Sequence, residues 1–145
     1  MALKGVYSLY LAYSFIYFNF RTMTSLIDSL CELFSCKPLQ LRELLNHPMN
    51  RERVNNYLRG RQLRTTHHKP ATNNKLIKFG DLTMLGANKL LAYEGYCDRM
   101  TVRQHFYGRH RIRLIHFSMP CVVVYNSGGT GHNSYYPLEI LTIAL

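Results

Sequence analysis

Residues Pro120–Ile143 read PCVVVYNSGGTGHNSYYPLEILTI. Cys121–Tyr125 is an apolar, β-branched run, Asn126–Asn133 is a turn rich in Gly and Asn, and Tyr135–Ile143 is a second apolar run. This order predicts a β-hairpin, because the turn residues tolerate the conformations that a tight reversal demands. Pro137 has no N–H to give to a ladder, so the returning strand lies at a sheet edge or begins after it. In both cases Tyr135 and Tyr136 stand at the mouth of a strand. A short helix over Thr101–Tyr107 and the basic run Arg109–Arg113 come just before, which sets tyrosines, cations and imidazoles side by side.

Working outward from this hairpin, Leu63–His67, Leu76–Thr83 and Lys89–Tyr93 read as short strands. They are separated by Pro70–Asn74, by Gly86-Ala87-Asn88 and by Glu94-Gly95, all turn formers. Closely spaced short strands predict a small barrel. Thr101 is the expected cap of a helix over Val102–Tyr107, with Gly108 as its stop, and Ile112 and Leu114 return the chain to strand. The earlier part is helical. Thr24 or Ser25 caps a helix over Leu26–Phe34, whose apolar face is Leu26, Ile27, Leu30, Leu33 and Phe34. Leu39–Leu45 forms a brief helical turn after Pro38, and Asn50–Leu58 forms a third segment that ends at Gly60.

Val6–Phe20 holds fifteen residues without a charge. It is short of the ~20 residues that a spanning helix needs and is interrupted by polar side chains, so no membrane partner is expected. The expected division is an apolar lead over residues 1–24 and a single domain over residues 25–145. The expected class is α+β, mainly β: a small OB-like or SH3-like barrel with N-terminal helices.

The net charge of +10 is unevenly spread. Arg51–Arg113 carries 14 of the 18 Lys and Arg residues against 4 acids, while residues 1–50 net +1 and residues 114–145 net −1. Cations confined to one span point to a polyanion, nucleic acid before anionic lipid. Cys31, Cys36, Cys97 and Cys121 have no paired CxxC spacing, and a chain of this length needs no disulfide scaffold. Reduced thiols, and with them a cytoplasmic or nuclear location, are expected.

The chain has no GxSxG, no HExxH, no P-loop and no glycine fingerprint. Its acids are scattered, with only Asp28/Glu32 and Glu94/Asp98 four apart. His67, His68, His105, His110 and His116 with Cys97 match no ligand spacing, and no acid is placed to orient them, so no metal or other cofactor is expected. His105 and His110 are better suited to donate hydrogen bonds to phosphate. Single strands are held by aromatic faces and by cations along the backbone. The series Arg99, Arg103, His105 and His110 together with Tyr135 and Tyr136 interleaves both.

Thr101-Val102-Arg103-Gln104-His105-Phe106, then Met119-Pro120-Cys121 and Tyr135-Tyr136-Pro137-Leu138-Glu139-Ile140, resemble the last third of an Argonaute-type PAZ domain. With Gly60, His67, the Leu76–Thr83 strand and the Leu26–Phe34 helix, the resemblance covers roughly residues 25–143. It implies an OB-like barrel with a strand–strand–helix insertion, gripping the 3′ end of a small single-stranded RNA between them, and no catalysis. It implies that His67 holds the terminal phosphate, that Lys75 and Lys78 fall on the basic strand, and that Tyr135 sits at the pocket rim. His105 and His110 fall where the family places phosphate-binding tyrosines, and Leu91, Tyr93 or Tyr136 is left to contact the base. Ile77 stands at an expected tyrosine position, and Gly86–Tyr93 is shortened against the family. MID and PIWI regions are absent, so no guide 5′ pocket or nuclease is expected.

Two functions follow. The first is an RNA-silencing module that anchors a small RNA by its 3′ end, with other silencing proteins as further partners and no preference for DNA. The alternative is a degenerate PAZ-like fragment that binds proteins, with Val6–Phe20 as its surface.

Overall fold

The computed structural model describes residues 24–93, 99–129 and 131–144. The lead over residues 1–24, apart from Thr24, therefore lies outside them, as do the Glu94-Gly95 turn, the Glu94/Asp98 pair and Cys97. Three helices come first. The Ser25 hydroxyl accepts from the Asp28 amide at 3.2 Å and opens α1, Leu26–Phe34, which closes on a left-handed Ser35. Helices α2, Pro38–Leu44, and α3, Pro48–Leu58, both begin on the prolines that the sequence marks as interruptions. At the first helical position the missing N–H costs nothing and the fixed φ favours the helix, so both start earlier than expected.

Gly60, at φ +76°, turns the chain into β1, Gln62–Thr65. The expected strand Leu76–Thr83 is two strands, β2, Leu76–Lys78, and β3, Asp81–Gly86, that belong to different sheets. Gly80 lies at the break, where its amide donates to the Val123 carbonyl at 2.9 Å and a Cβ would meet that oxygen at 2.5 Å. The antiparallel sheets are β2-β1-β6 and β3-β4-β5, with β4 over Pro120–Val124, β5 over Ser134–Pro137 and β6 over Leu141–Ile143.

The returning half of the hairpin is therefore not one strand. Tyr135 pairs with Val123 and Pro137 with Cys121, so β5 is an edge strand that ends on its proline. Leu138–Ile140 then makes one 3-10 turn and delivers Leu141 opposite Thr65 in the other sheet. Between β3 and β4 lies the insertion. Its expected strand over Lys89–Tyr93 is reduced to one bridge, Leu91 with Thr101, and Ile112 and Leu114 lie outside any strand. Thr101 and Gln104 cap each other's backbone amides at the start of α4, Val102–His110. The helix runs through Gly108 rather than stopping there. A left-handed Arg111, whose amide bonds back to Tyr107, ends it instead.

One core joins these parts. Leu30, Leu41 and Val54 from the helices meet Leu63, Val122, Leu138 and Leu141, and each is at most 2% exposed. Arg51 fastens α3 to β3 by donating to the Leu82 and Thr83 carbonyls at 3.1 and 2.8 Å. Where the β3–β4 register shifts, the buried Thr83 hydroxyl accepts the Cys121 amide at 2.8 Å. Cys31, Cys36 and Cys121 are free thiols. No helix among the described residues is long and apolar enough to cross a membrane.

Because Leu138 fills the crossing between the sheets, Leu138→Ala is expected to lower unfolding free energy by about 2–5 kcal/mol in a urea titration.

Candidate nucleic-acid interface

After Thr65 the chain leaves the sheet. The loop to β2 is closed by three bonds between Thr65 and Lys75: the Lys75 amide donates to the Thr65 hydroxyl at 2.8 Å, and the Thr65 amide and hydroxyl donate to the Lys75 carbonyl at 3.0 and 3.5 Å. Inside the loop the His68 amide donates to the Asn74 side chain at 2.9 Å. Freed from the alternation of a strand, the consecutive residues His67 and His68 both face one cleft. Helix α4 supplies His105, Phe106, Arg109 and His110 to it, and β5 with the turn before it supplies His132, Tyr135 and Tyr136. Lys75, Ala92 and Tyr93 complete a cavity of about 910 Å³.

The last turn of α4 matters here. Had the helix stopped at Gly108, Arg109 and His110 would not be carried on it. His110 stands edge-on to His67 with ring centroids 4.5 Å apart, and His67 lies 4.0 Å from His68. Phe106, nearly buried at 3% exposure, backs the cluster, with its ring 5.2 Å from His67. On the far side the Tyr93 hydroxyl is 3.1 Å from Nδ1 of His105.

These surroundings favour the neutral form of His67, His105 and His110. Burial, then the neighbouring His68, His110, His105 and Lys75, pushes His67 down to about 4. His105 is lowered by burial, then by His110 and Arg109, and His110 by burial, then by His68 and Arg109. Burial also raises the Tyr136 phenol, so that its hydroxyl stays a donor. The result is a cleft of neutral N–H and O–H donors with Lys75 and Arg109 as fixed cations. No carboxylate stands among its described lining residues.

Of the residues picked from sequence, the structure brings together His67, Lys75, His105, His110, Tyr135 and Tyr136. Lys78, Leu91, Arg99 and Arg103 do not join them. Lys78 is on the exposed side of β2, Leu91 pairs with Thr101 beside the cleft, where Ala92 and Tyr93 take the lining position, and Arg103 lies over the Phe117 ring instead. Ile77 is core rather than pocket, at 8% exposure. Three lining residues are not assigned to RNA by the sequence reading: His68, weighed only as a metal ligand, Arg109, named only within the basic run, and His132. For His68 the signal was its place after a strand end; for Arg109 it was the helix running past Gly108.

No family model matches the sequence, and no curated protein matches it. Solved structures do. A Drosophila Argonaute PAZ domain solved in complex with 3′-end 2′-O-methylated RNA superposes with a TM-score of 0.62 at 16% identity, over 86% of this chain and all 100% of that one. The Drosophila Argonaute 2 PAZ domain, described for its 3′ end recognition of nucleic acids, superposes at 0.52 and 18% identity, over 69% and 76% of the two chains. This chain therefore has the PAZ fold. The OB-like arrangement expected from the sequence resemblance is the one found.

The depressed His67 carries a consequence for stability. Above pH 6.5 both folded and unfolded chains hold this ring neutral, so the shift costs nothing. Between 6.5 and about 4 the unfolded chain takes a proton that the folded ring refuses. Stability is expected to fall through this window and to level off below it. Thermal melts from pH 7.5 to 4 in chelator-containing buffer check this, with a shallower decline expected in His67→Gln.

Proposed function

We propose that this chain binds the 3′ end of a single-stranded RNA in the cleft between α4, the β1–β2 loop and β5. The observation that carries the reading is the convergence there of His67, His105, His110, Lys75 and Arg109 with Tyr135 and Tyr136. It is supported by the PAZ fold, whose solved neighbours include one holding the 3′ end of an RNA. Lys75 and Arg109 attract the phosphates, the imidazoles and phenols donate to their oxygens, and the Tyr135 or Tyr136 ring gives a base a face to stack on. In this reading the cleft binds and carries out no reaction.

The setting that fits is RNA silencing in the cytoplasm, with a small RNA as ligand and other silencing proteins as partners. The basic middle span supplies the long-range attraction, and the cleft supplies recognition of the end. Charge alone would favour RNA and DNA alike. The enclosed donors at the end of the strand give RNA its advantage, through the hydroxyls of the terminal ribose.

A titration of purified protein with a short labelled RNA tests this, comparing a free 3′-hydroxyl end with a 3′-phosphorylated end. The free end is expected to bind more tightly, and binding indifferent to the end would overturn the reading. With Lys75 and Arg109 each neutralising one phosphate, log K should fall against log salt with a slope of about −1.4. The double variant His105→Ala, His110→Ala is expected to weaken binding about tenfold, by loss of two donors. Unchanged affinity in that variant would remove these residues from the site.

A further inference from the structure

Among the described residues, one cluster holds donors in a pattern that phosphate binding does not require. His67 and His68 come from the loop after β1, and His110 comes from the last turn of α4. One ring nitrogen from each lies within 4.8 Å of the other two. All three side chains are partly exposed and line the same cleft. The Nδ1 atom of His67 is buried and has no hydrogen-bond partner among the described residues, a costly state that coordination relieves.

We propose that His67, His68 and His110 form a site for one divalent transition-metal ion, Zn²⁺ foremost, with the fourth position open to the cleft. The donor set selects the class of metal. Three imidazoles suit Zn²⁺, Co²⁺, Ni²⁺ and Cu²⁺, whereas Mg²⁺ and Ca²⁺ need oxygen ligands, and no carboxylate lines the described cleft. In a tetrahedral site with metal–nitrogen bonds of about 2.0–2.1 Å the nitrogens stand about 3.3 Å apart. Closing from within 4.8 Å to that separation asks for movement of three partly exposed rings.

The elements that bear the ligands are themselves fixed. Thr65 and Lys75 close the loop, Asn74 holds the His68 amide, and the left-handed Arg111 ends α4 one residue after His110. Three ligands and an open position are the arrangement of a metal site that accepts an outside ligand, here water or an anionic oxygen. Lys75 and Arg109 line the same cavity and oppose a dication. The site therefore depends on imidazole–metal bonding rather than on charge, and an anion in the fourth position offsets the repulsion. None of this needs RNA, so the site is testable with nucleic acid absent.

The test is a titration of the untagged full chain with Co²⁺, followed by its visible absorption, and then displacement by Zn²⁺. One ion per chain, with the intense bands of four-coordinate cobalt and with Zn²⁺ raising the melting temperature, is the expected result. His68→Gln and His110→Gln, each shown to be folded by circular dichroism, should weaken binding more than about tenfold. His116→Gln, outside the cleft, should leave it unchanged. Absence of four-coordinate bands, or binding that is the same in His68→Gln as in the parent, would overturn the proposal. Failure of RNA binding would leave it standing, since its readout contains no RNA.

Discussion

The structure depends on the way the chain crosses from one sheet to the other at Pro137. A strand that continued past this residue would need an N–H that proline lacks. The chain instead turns once, through Leu138–Ile140, and joins the second sheet. The crossing is tied to the first sheet's neighbour by Thr66, whose amide and hydroxyl both donate to the Ile140 carbonyl, at 2.9 and 3.0 Å. Those bonds set the start of the β1–β2 loop beside the end of β5. His67 and Tyr136 are neighbours, with rings 6.5 Å apart, because of this crossing and not because of their places in sequence. Glu139, within the same turn, accepts the backbone amides of Ile115 and His116 at 3.1 and 2.9 Å and so holds down the connector that follows α4. A single turn thereby positions all three walls of the cleft.

The cleft is built on a balance of unlike groups. Burial behind Phe106 and Tyr136 would make a charged imidazole expensive, and crowding of several imidazoles raises that cost. His67, His105 and His110 are held toward the neutral form, and Lys75 and Arg109 supply formal charge. Neutral donors give direction without drawing in every polyanion, and the two fixed cations give attraction without direction.

Much of the fold was legible because its local signals agree. The Ser25 and Thr101 caps, the apolar face of α1 and the Val122–Val124 run each point to the element that forms. The errors have two causes. At Gly108, which reads as a stop, and at Pro38 and Pro48 one local signal was outweighed by another, the terminating bonds of α4 forming at Arg111. Elsewhere local signals were overruled by pairing at a distance. Lys89–Tyr93 has strand composition, but only Leu91 finds a partner. Tyr135–Ile143 has the composition of one strand and is divided between two sheets by a proline. Of the residues named through the family resemblance, His105 and Tyr135 lie on regular backbone and line the cleft, whereas Leu91, outside any strand, bridges to Thr101 beside it. His68 was not assigned to the cleft because neighbours in sequence share a face only once the strand has ended.

The strand edges carry a consequence for how such a molecule meets its partners. Of the four edge strands, β2 and β6 span three residues each, β5 spans four and ends on proline, and β3 spans six but has its Leu82 and Thr83 carbonyls taken by Arg51. Long flat edges invite another chain to add itself by backbone pairing, the route to fibrils and to strand exchange. Edges that are short, or partly occupied as β3 is, give an incoming strand few free rungs. What the described residues offer a partner instead is a recess of side chains, which discriminates by chemistry where main-chain pairing would accept any extended peptide.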